Sequence, residues 1–397
     1  MSLELCRMSL QQTRDLLELT DTTLRSLCCR RFTNEELYVE AIRRVLGGKG
    51  RRGPHSIFLV IDGEPGSLSR GRVFHLRPGE MVEASEYVVI DPGSVYAIPF
   101  IKDAVLVSNW DEKTESMDKY QASFHPQIKE FVGVPITNFI ACRISGEYRG
   151  AIFAFNYARE ATEYDAGVLV ILAVVIGSLV TLSNEVRETE RAFVYTIEAL
   201  ARACEAAEES TGEHIVRVNR YAGALAANMG LSTDFVETIS YSAQMHDVGK
   251  IKVPNEILLK PGQLTPEEER LIKLHPVFGE RILGDSPRLR IAREIAIAHH
   301  ENWDGSGYPY GLNGDRIPLA GRIVKVADVY DALRSRRSYK APMGHREALE
   351  VFRSGDARID PKRHFDPEIL KTFFEIEHMY EAIYESVTGA TTHDWLF

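Results

Sequence analysis

The sequence predicts a multidomain molecule: an N-terminal α+β unit, a connecting helix and a C-terminal all-α helical bundle. Three observations predict it. The 397 residues exceed the roughly 150 of one average domain. From Ser56 to Tyr157, short β-branched and aromatic runs are punctuated by turn residues. After residue 200 the apolar spacing changes to three and four, and nine of the twelve histidines fall there. The expected boundaries are 1–182, a connector over 183–207, and 208–397.

Acidic residues outnumber Lys and Arg by 57 to 47, giving a formal net charge of −10. That excludes a generally basic, nucleic-acid-coating protein, and no DNA partner is expected. With 44% hydrophobic and 26% charged residues, usage is that of a globular chain. Cys6, Cys28, Cys29, Cys142 and Cys204 form an odd, scattered set without a CxxC, as expected of free thiols in a reducing compartment. The start, Met-Ser-Leu-Glu-Leu-Cys, is acidic where a signal peptide is basic, so a cytoplasmic location is expected. The stretch Ala166 to Leu182 is uncharged but shorter than the ~20 residues of a spanning helix, and it contains Gly167, Gly177, Ser178 and Thr181. A buried or dimer-forming helix is expected there, not a membrane span.

Taking the elements in order, the first fifty residues read as mixed helix that ends in the glycine-rich 47–53 loop. Strands are expected at 56–61, 72–76, 86–90, 104–107, 131–136, 138–144 and 150–157, with turns at Thr137-Asn138 and Ser145-Gly146 setting antiparallel pairs. The apolar helix at 166–182 then covers one face of the sheet. In order of elements, and in the GVPI…GAIFAFNY pair, this region resembles a GAF domain, a sensory module. No ligand set is legible in it: His55, His75 and His125 are scattered, and Cys142 lies in a strand. From Ser183 to Ala207, helix formers carry apolar residues at Val186, Phe193, Ile197, Leu200 and Cys204. Such a connector is expected to pair with its twin in a homodimer.

The C-terminal half holds the chemistry. His214 opens a helix with the apolar face Ile215, Val218, Ala222, Leu225 and Met229. A second helix, capped by Ser232 or Asp234, is expected to end at His246-Asp247 before Gly249 and Pro254. A third begins at Thr265-Pro266 and carries His275; a fourth ends at His299-His300-Glu301; a fifth, over 319–333, carries Asp328. Metal-type side chains therefore project from rigid helices. Neutral imidazoles hold borderline divalent ions while carboxylates bridge them and offset their charge. Such a pair lowers the pKa of bound water from about 15.7 toward neutrality and stabilises a displacement at phosphorus. A lone histidine is more often a packed or solvated residue, and His345, His364, His378 and His393 are read that way. A His, a His-Asp pair, a His, a His-His pair and a late Asp on successive helices seldom arise together by accident.

His214…His246-Asp247…Asp328 resembles the HD superfamily of metal-dependent phosphohydrolases. HDVGKIKVP (246–254), ILLKPGQLTPEEE (257–269), HPVFGERIL (275–283), HHENWDGSGYPYGLNGDRIP (299–318), ADVYDALRSRRSYK (327–340) and HFDPEIL (364–370) are similar to its HD-GYP subfamily, the bacterial cyclic di-GMP phosphodiesterases. The resemblance implies that His214, His246, Asp247 and Asp328 hold one ion, and that His275, His299 and His300, with Asp247 bridging, hold another. It implies iron or manganese before zinc. Some members take a third ion through a Glu one turn before the first histidine. Ser210 stands there, which disfavours a third ion, although Glu208 and Glu209 are adjacent.

By the same resemblance Asp247 and Lys250 are catalytic. Lys250, Arg337 and Lys340 contact phosphate, and Gly307, Tyr308 and Pro309 form a substrate loop. Arg334 and Arg336 either extend the basic run that concentrates a dianionic dinucleotide against the net negative charge or form a solvated face. The glycines of residues 304–311 permit positive φ and close approach, and Tyr308 is placed to stack on a base or bond a phosphate. The implied activity is hydrolysis of cyclic di-GMP to pGpG or GMP in second-messenger signalling, governed by the N-terminal domain. Two alternatives are a slow receptor that signals to a protein partner and a hydrolase of another cyclic dinucleotide such as cyclic GMP–AMP. A di-iron oxygenase is disfavoured by Lys250, Arg337, Lys340 and the GYP loop, which suit phosphates.

Overall fold

The computed structural model describes residues 14, 18, 34–46, 53–61, 69–77, 80–84, 86–90, 105–144, 150–205, 212–335 and 342–388. It divides into two compact units, Met1–Thr189 and Glu190–Phe397.

In the first unit the elements are α1 (Asn34–Leu46), β1 (Ser56–Ile61), β2 (Ser69–Arg77), β3 (Glu80–Glu83), β4 (Val88–Ile90), β5 (Val105–Asn109), α2 (Met117–Ala122), α3 (Pro126–Val132), β6 (Asn138–Ile144), β7 (Gly150–Phe155) and the start of α4 (Glu163–Glu205). The sheet is antiparallel throughout, in the order β3-β2-β1-β7-β6-β5, with β4 beside β2. Every residue of the central strand β7 is buried, because both faces of the sheet are covered. On one face Ile57, Leu59, Ile140 and Ile152 pack with α1 and with Leu169, Leu172 and Ile176 of α4. On the other, Phe58, Phe153 and Phe155 pack with Tyr120, Phe124 and Ile128.

Several expectations need correction here. The 131–136 segment is not a strand. Pro126 starts a helix after His125, whose ring accepts from the Gln127 N–H, and Gly133 at φ 73 stops it. Strand β3 and helix α2 were not anticipated. The apolar run and the connector are one helix, α4, since no proline interrupts residues 163–205. The division between units falls inside it, between Thr189 and Glu190. By length and composition alone α4 is long and apolar enough to cross a membrane, yet its apolar residues Ala166, Leu169, Leu172, Ala173, Ile176 and Val180 are buried in the sheet core. Cys142 and Cys204 are buried. The 47–52 loop, the Ser145-Gly146 turn, Cys6, Cys28 and Cys29 lie outside the described residues.

The second unit is all-α: α5 (Glu213–Asn228), α6 (Thr233–Ser242), α7 (Asn255–Leu258), α8 (Pro266–Ile272), α9 (His275–Leu283), α10 (Arg290–Ala298), α11 (Leu319–Arg334), α12 (His345–Ser354), α13 (Pro361–His364), α14 (Pro367–Glu375) and α15 (Glu377–Thr388). Its core packs Val218, Leu225, Ile295, Ile323, Phe352 and Phe373 around Tyr221, Tyr330 and Tyr380. The rings of Tyr221 and Tyr380 stack at 4.4 Å. Two helix assignments change. His246-Asp247 sits between two 3₁₀ turns, Ala243–Met245 and Val248–Lys252, not at the end of α6. His275 opens α9 and is not carried by α8, because Pro276 fits the first turn of a helix and not its interior.

Candidate metal centre

Five elements deliver the centre. His214 lies in the first turn of α5 and His275 at the start of α9; His299 caps the end of α10, with His300 next; Asp328 faces inward from α11. Gly249 makes this convergence sterically feasible, since a Cβ there would lie 1.9 Å from the His275 carbonyl oxygen. The HD turn is thereby pressed against α9, and Asp247 Oδ1 comes within 3.2 Å of His275 Nε2 and 3.6 Å of His299 Nε2.

Two groups result: His214, His246 and Asp328; and Asp247, His275, His299 and His300. Within each group the ligand atoms lie within 4.8 Å of one another. Asp247 also reaches the first group, its Oδ2 lying 3.2 Å from His246 Nε2. All seven expected metal-type side chains are therefore brought together. Asp328 Oδ1 stands 3.8 Å from Nε2 of both His214 and His246.

The tautomers fit cations. A carbonyl can only accept, so His246 Nδ1 donates to Ala243 O at 2.9 Å, His275 Nδ1 to Ile272 O at 2.8 Å, and His299 Nδ1 to the Ile295 and Ala296 oxygens at 3.1 Å. His214 Nδ1 lies 2.8 Å from Asp331 Oδ2. When these rings are neutral, each Nε2 presents a lone pair to the centre. The Nε2 atoms of His275 and His299 face each other at 3.3 Å, which two lone pairs tolerate only around a shared proton or cation. His246 Nε2 and Asp247 Oδ1 are buried and, beyond their 3.2 Å contacts with Asp247 Oδ2 and His275 Nε2 respectively, make no further hydrogen bond. Buried donor atoms aimed at one point suit a bound metal.

The electrostatics divide the imidazoles. Burial alone would lower His246, but Asp247 and Asp328 outweigh it and raise its pKa to about 9. Burial lowers His299 to about 4, and burial with the neighbouring imidazoles holds His300 well below its ordinary value, so both rings are neutral at pH 7. Against the upward push of burial, Lys250 and His246 hold Asp247 ionised, while His246 and His214 do so for Asp328.

Lys250 is not a solvated lysine; its Nζ lies 2.8 Å from Asp247 Oδ2. Tyr308 stacks on His300, ring centroids 4.6 Å apart, so one ring face is already used. Gly307 serves packing within the loop, as a Cβ there would lie 2.3 Å from the Asn302 nitrogen. Pro309 follows Tyr308 in a cis peptide bond. Arg336, Arg337 and Lys340, and Ser210 with Glu208 and Glu209, lie outside the described residues. Arg334 is not part of a solvated basic face, for it is buried and donates to the Tyr330 hydroxyl at 3.0 Å.

Sequence reading missed three groups. Glu301, fully buried, accepts from the Tyr310 and Leu312 amides at 2.8 and 3.0 Å and so ties down the GYP loop. Asp331 holds His214, and its signal was its position one turn beyond Asp328. Lys325, one turn before Asp328, shares the face on which Gly321 meets Ala298 at the end of α10.

A helical bundle whose successive elements turn His, His-Asp, His, His-His and Asp inward defines the HD class of metal-binding domains. Residues 197–363 match the HD domain family profile. Among curated proteins, a cyclic di-GMP phosphodiesterase of Vibrio cholerae is 41% identical over 223 residues, 52% of this chain and 44% of that protein. A 3′3′-cGAMP-specific phosphodiesterase of the same organism is 38% identical, covering 57% and 42%, and a cyclic di-GMP phosphodiesterase of Thermotoga maritima is 43% identical, covering 47% and 50%. The matched region spans half or less of the length of these relatives. The C-terminal unit is an HD domain, and the Gly307-Tyr308-Pro309 loop after the paired histidines marks it as HD-GYP.

Proposed function

We propose that the C-terminal unit hydrolyses cyclic di-GMP to pGpG or GMP with two divalent cations, and that the N-terminal unit is a GAF-like sensor governing its output. The observation that carries this reading is the pair of lone-pair-presenting donor groups that meet at Asp247. His214, His246 and Asp328 would hold one ion, His275, His299 and His300 the other, and Asp247 both. The mixed imidazole and carboxylate set, without thiolate, suits iron or manganese. When bound, the ions supply Lewis acidity and a hydroxide nucleophile at neutral pH.

The chain's own groups do the rest. Asp247 orients both donor groups, and Lys250 beside it offers a point charge to a phosphate oxygen. Burial keeps the Tyr308 phenol protonated, a hydrogen-bond donor over the physiological range. Arg337 and Lys340 are proposed to take the second phosphate. A cytoplasmic homodimer joined along α4 completes the proposal. The exposed Ile171, Val174, Leu182 and Val186 on that helix support the pairing.

A second reading, that 3′3′-cGAMP is the preferred substrate, is favoured by the relative of that specificity at 38% identity. The test is to load the full chain with manganese or iron, supply each dinucleotide separately, and separate the products by chromatography. Linear product from cyclic di-GMP is expected, with faster turnover of 3′3′-cGAMP deciding for the second reading. Protein that holds two ions per chain yet linearises neither would overturn the enzymatic claim.

A further inference from the structure

The imidazoles of the centre are anchored by different kinds of contact. His275 and His299 donate Nδ1 to carbonyls three or four residues back in their own turns, and His246 does the same to Ala243. Those orientations form as soon as the local backbone does. His214 has no such support. It is the second residue of α5, whose N-cap, Gly212, has φ 74 and makes no side-chain capping bond. Its Nδ1 partner is Asp331, 117 residues away and one turn beyond Asp328 on α11.

Asp331 is itself immobilised. It is fully buried and uses both oxygens: Oδ1 accepts from Arg217 Nε at 2.6 Å, and Oδ2 from Arg217 Nη2 at 3.0 Å, Ser335 Oγ at 3.1 Å and His214. Arg217 stands one turn after His214 on α5, so the clamp ties the helix of one candidate ligand, His214, to the helix of another, Asp328. Arg217 is held in turn by Glu213 at 3.0 Å and lies with its guanidinium carbon 5.3 Å from the Tyr384 ring centroid. Every group facing Asp331 is a donor, so it can only accept. An asparagine would turn an N–H against the arginine fork in either amide orientation.

We infer that Asp331, clamped by Arg217, is a positioning residue for one of the two cations only. The His214/His246/Asp328 site takes the orientation of His214 from this tertiary contact, whereas His275 and His299 of the other site are oriented by carbonyls of their own turns. The inference rests on the two-cation reading and adds an asymmetry to it: loss of the clamp empties the first site and leaves the second filled.

The probe is Mn(II) alone, counted per chain after equilibrium dialysis and examined by electron paramagnetic resonance, in full-length wild type, Asp331→Asn and Arg217→Met/Asp331→Leu. The single variant leaves Arg217 facing an amide N–H and risks misfolding. The double variant removes both charges at similar volume, which is commonly tolerated, and far-UV circular dichroism checks the fold. Wild type should hold two ions per chain with an exchange-coupled signal. Both variants should hold one, with the six-line signal of an isolated ion, a change that a merely destabilised fold does not produce. Two coupled ions in the folded double variant, or loss of both ions together, overturns the asymmetry. A wild type that binds fewer than two ions overturns the two-cation reading itself.

Discussion

At the scale of residues, four of the five histidines at the centre owe their orientation to what Nδ1 touches, and three of the four touch backbone carbonyls that no residue pattern announces. Residue type and spacing were enough to single out all seven ligand-type side chains, because imidazole and carboxylate in that order have few other uses. Asp331 and Lys325 were not legible, since a charged residue one turn away from a functional one is ordinary on any helix, nor was Glu301, since a carboxylate opening a loop is equally ordinary. Asp247 touches both donor groups, so Asp247→Ala is expected to lower turnover by more than about 100-fold and to reduce manganese uptake, as measured by product formation and elemental analysis. Unchanged uptake would remove its bridging role. In the metal-free protein His246 keeps its proton up to about pH 9, so a cation must displace it. Manganese affinity should weaken by about tenfold per pH unit as pH falls below that value, in calorimetric titrations at several pH values, and a flat profile would contradict this. Burial lowers Lys325 to about 8, against Asp328, Glu301 and Asp304. Its folded pKa lies below the unfolded one, so the folded state gains stability as pH rises from about 8 toward 10.5, and below that window the ammonium is a net cost. Lys325→Met should therefore raise the melting temperature of metal-free protein at pH 7, by a margin that shrinks above pH 8. A lowered melting temperature at pH 7 would refute it.

At the scale of elements, what decides placement is close backbone approach. The Gly249 contact with His275 and Gly279 is backbone against backbone, so Gly249→Ala forces the HD turn off α9. We expect a cost of about 1–3 kcal/mol or more, read as a melting temperature lowered by several degrees together with reduced metal content. Full metal content would show that the turn can shift harmlessly. Glu301→Gln leaves at least one of the Tyr310 and Leu312 amides poorly matched. Their hydrogen exchange should accelerate by on the order of 10–100-fold, in line with the loss of a charge-assisted bond. Exchange at the wild-type rate would mean that the loop holds itself. The element errors share one cause: short apolar runs do not declare their period. FVGVPI reads as a strand until Pro126 and Gly133 are seen to bracket a helix, and His275 reads as part of α8 until Pro276 is weighed as a helix starter. The strands at 56–61, 138–144 and 150–155 were legible because turn residues and β-branching agreed.

At the scale of the whole molecule, the two units have separate cores, and among the described residues only the second contains the metal-type cluster. The change from strand punctuation to helical spacing runs through the single long helix α4, inside which the division falls. Calorimetry of the full chain should therefore show two transitions, of which manganese raises only one, by about 2.7 kcal/mol per bound ion at 100 times the dissociation constant. Movement of both transitions would contradict independent cores. The most direct test of the central claim is anomalous diffraction from manganese-loaded crystals. Two peaks about 3.5–4 Å apart are predicted, one among His214, His246 and Asp328 and one among His275, His299 and His300, with the Asp247 carboxylate reaching both. A single peak, or density away from these seven side chains, would contradict it.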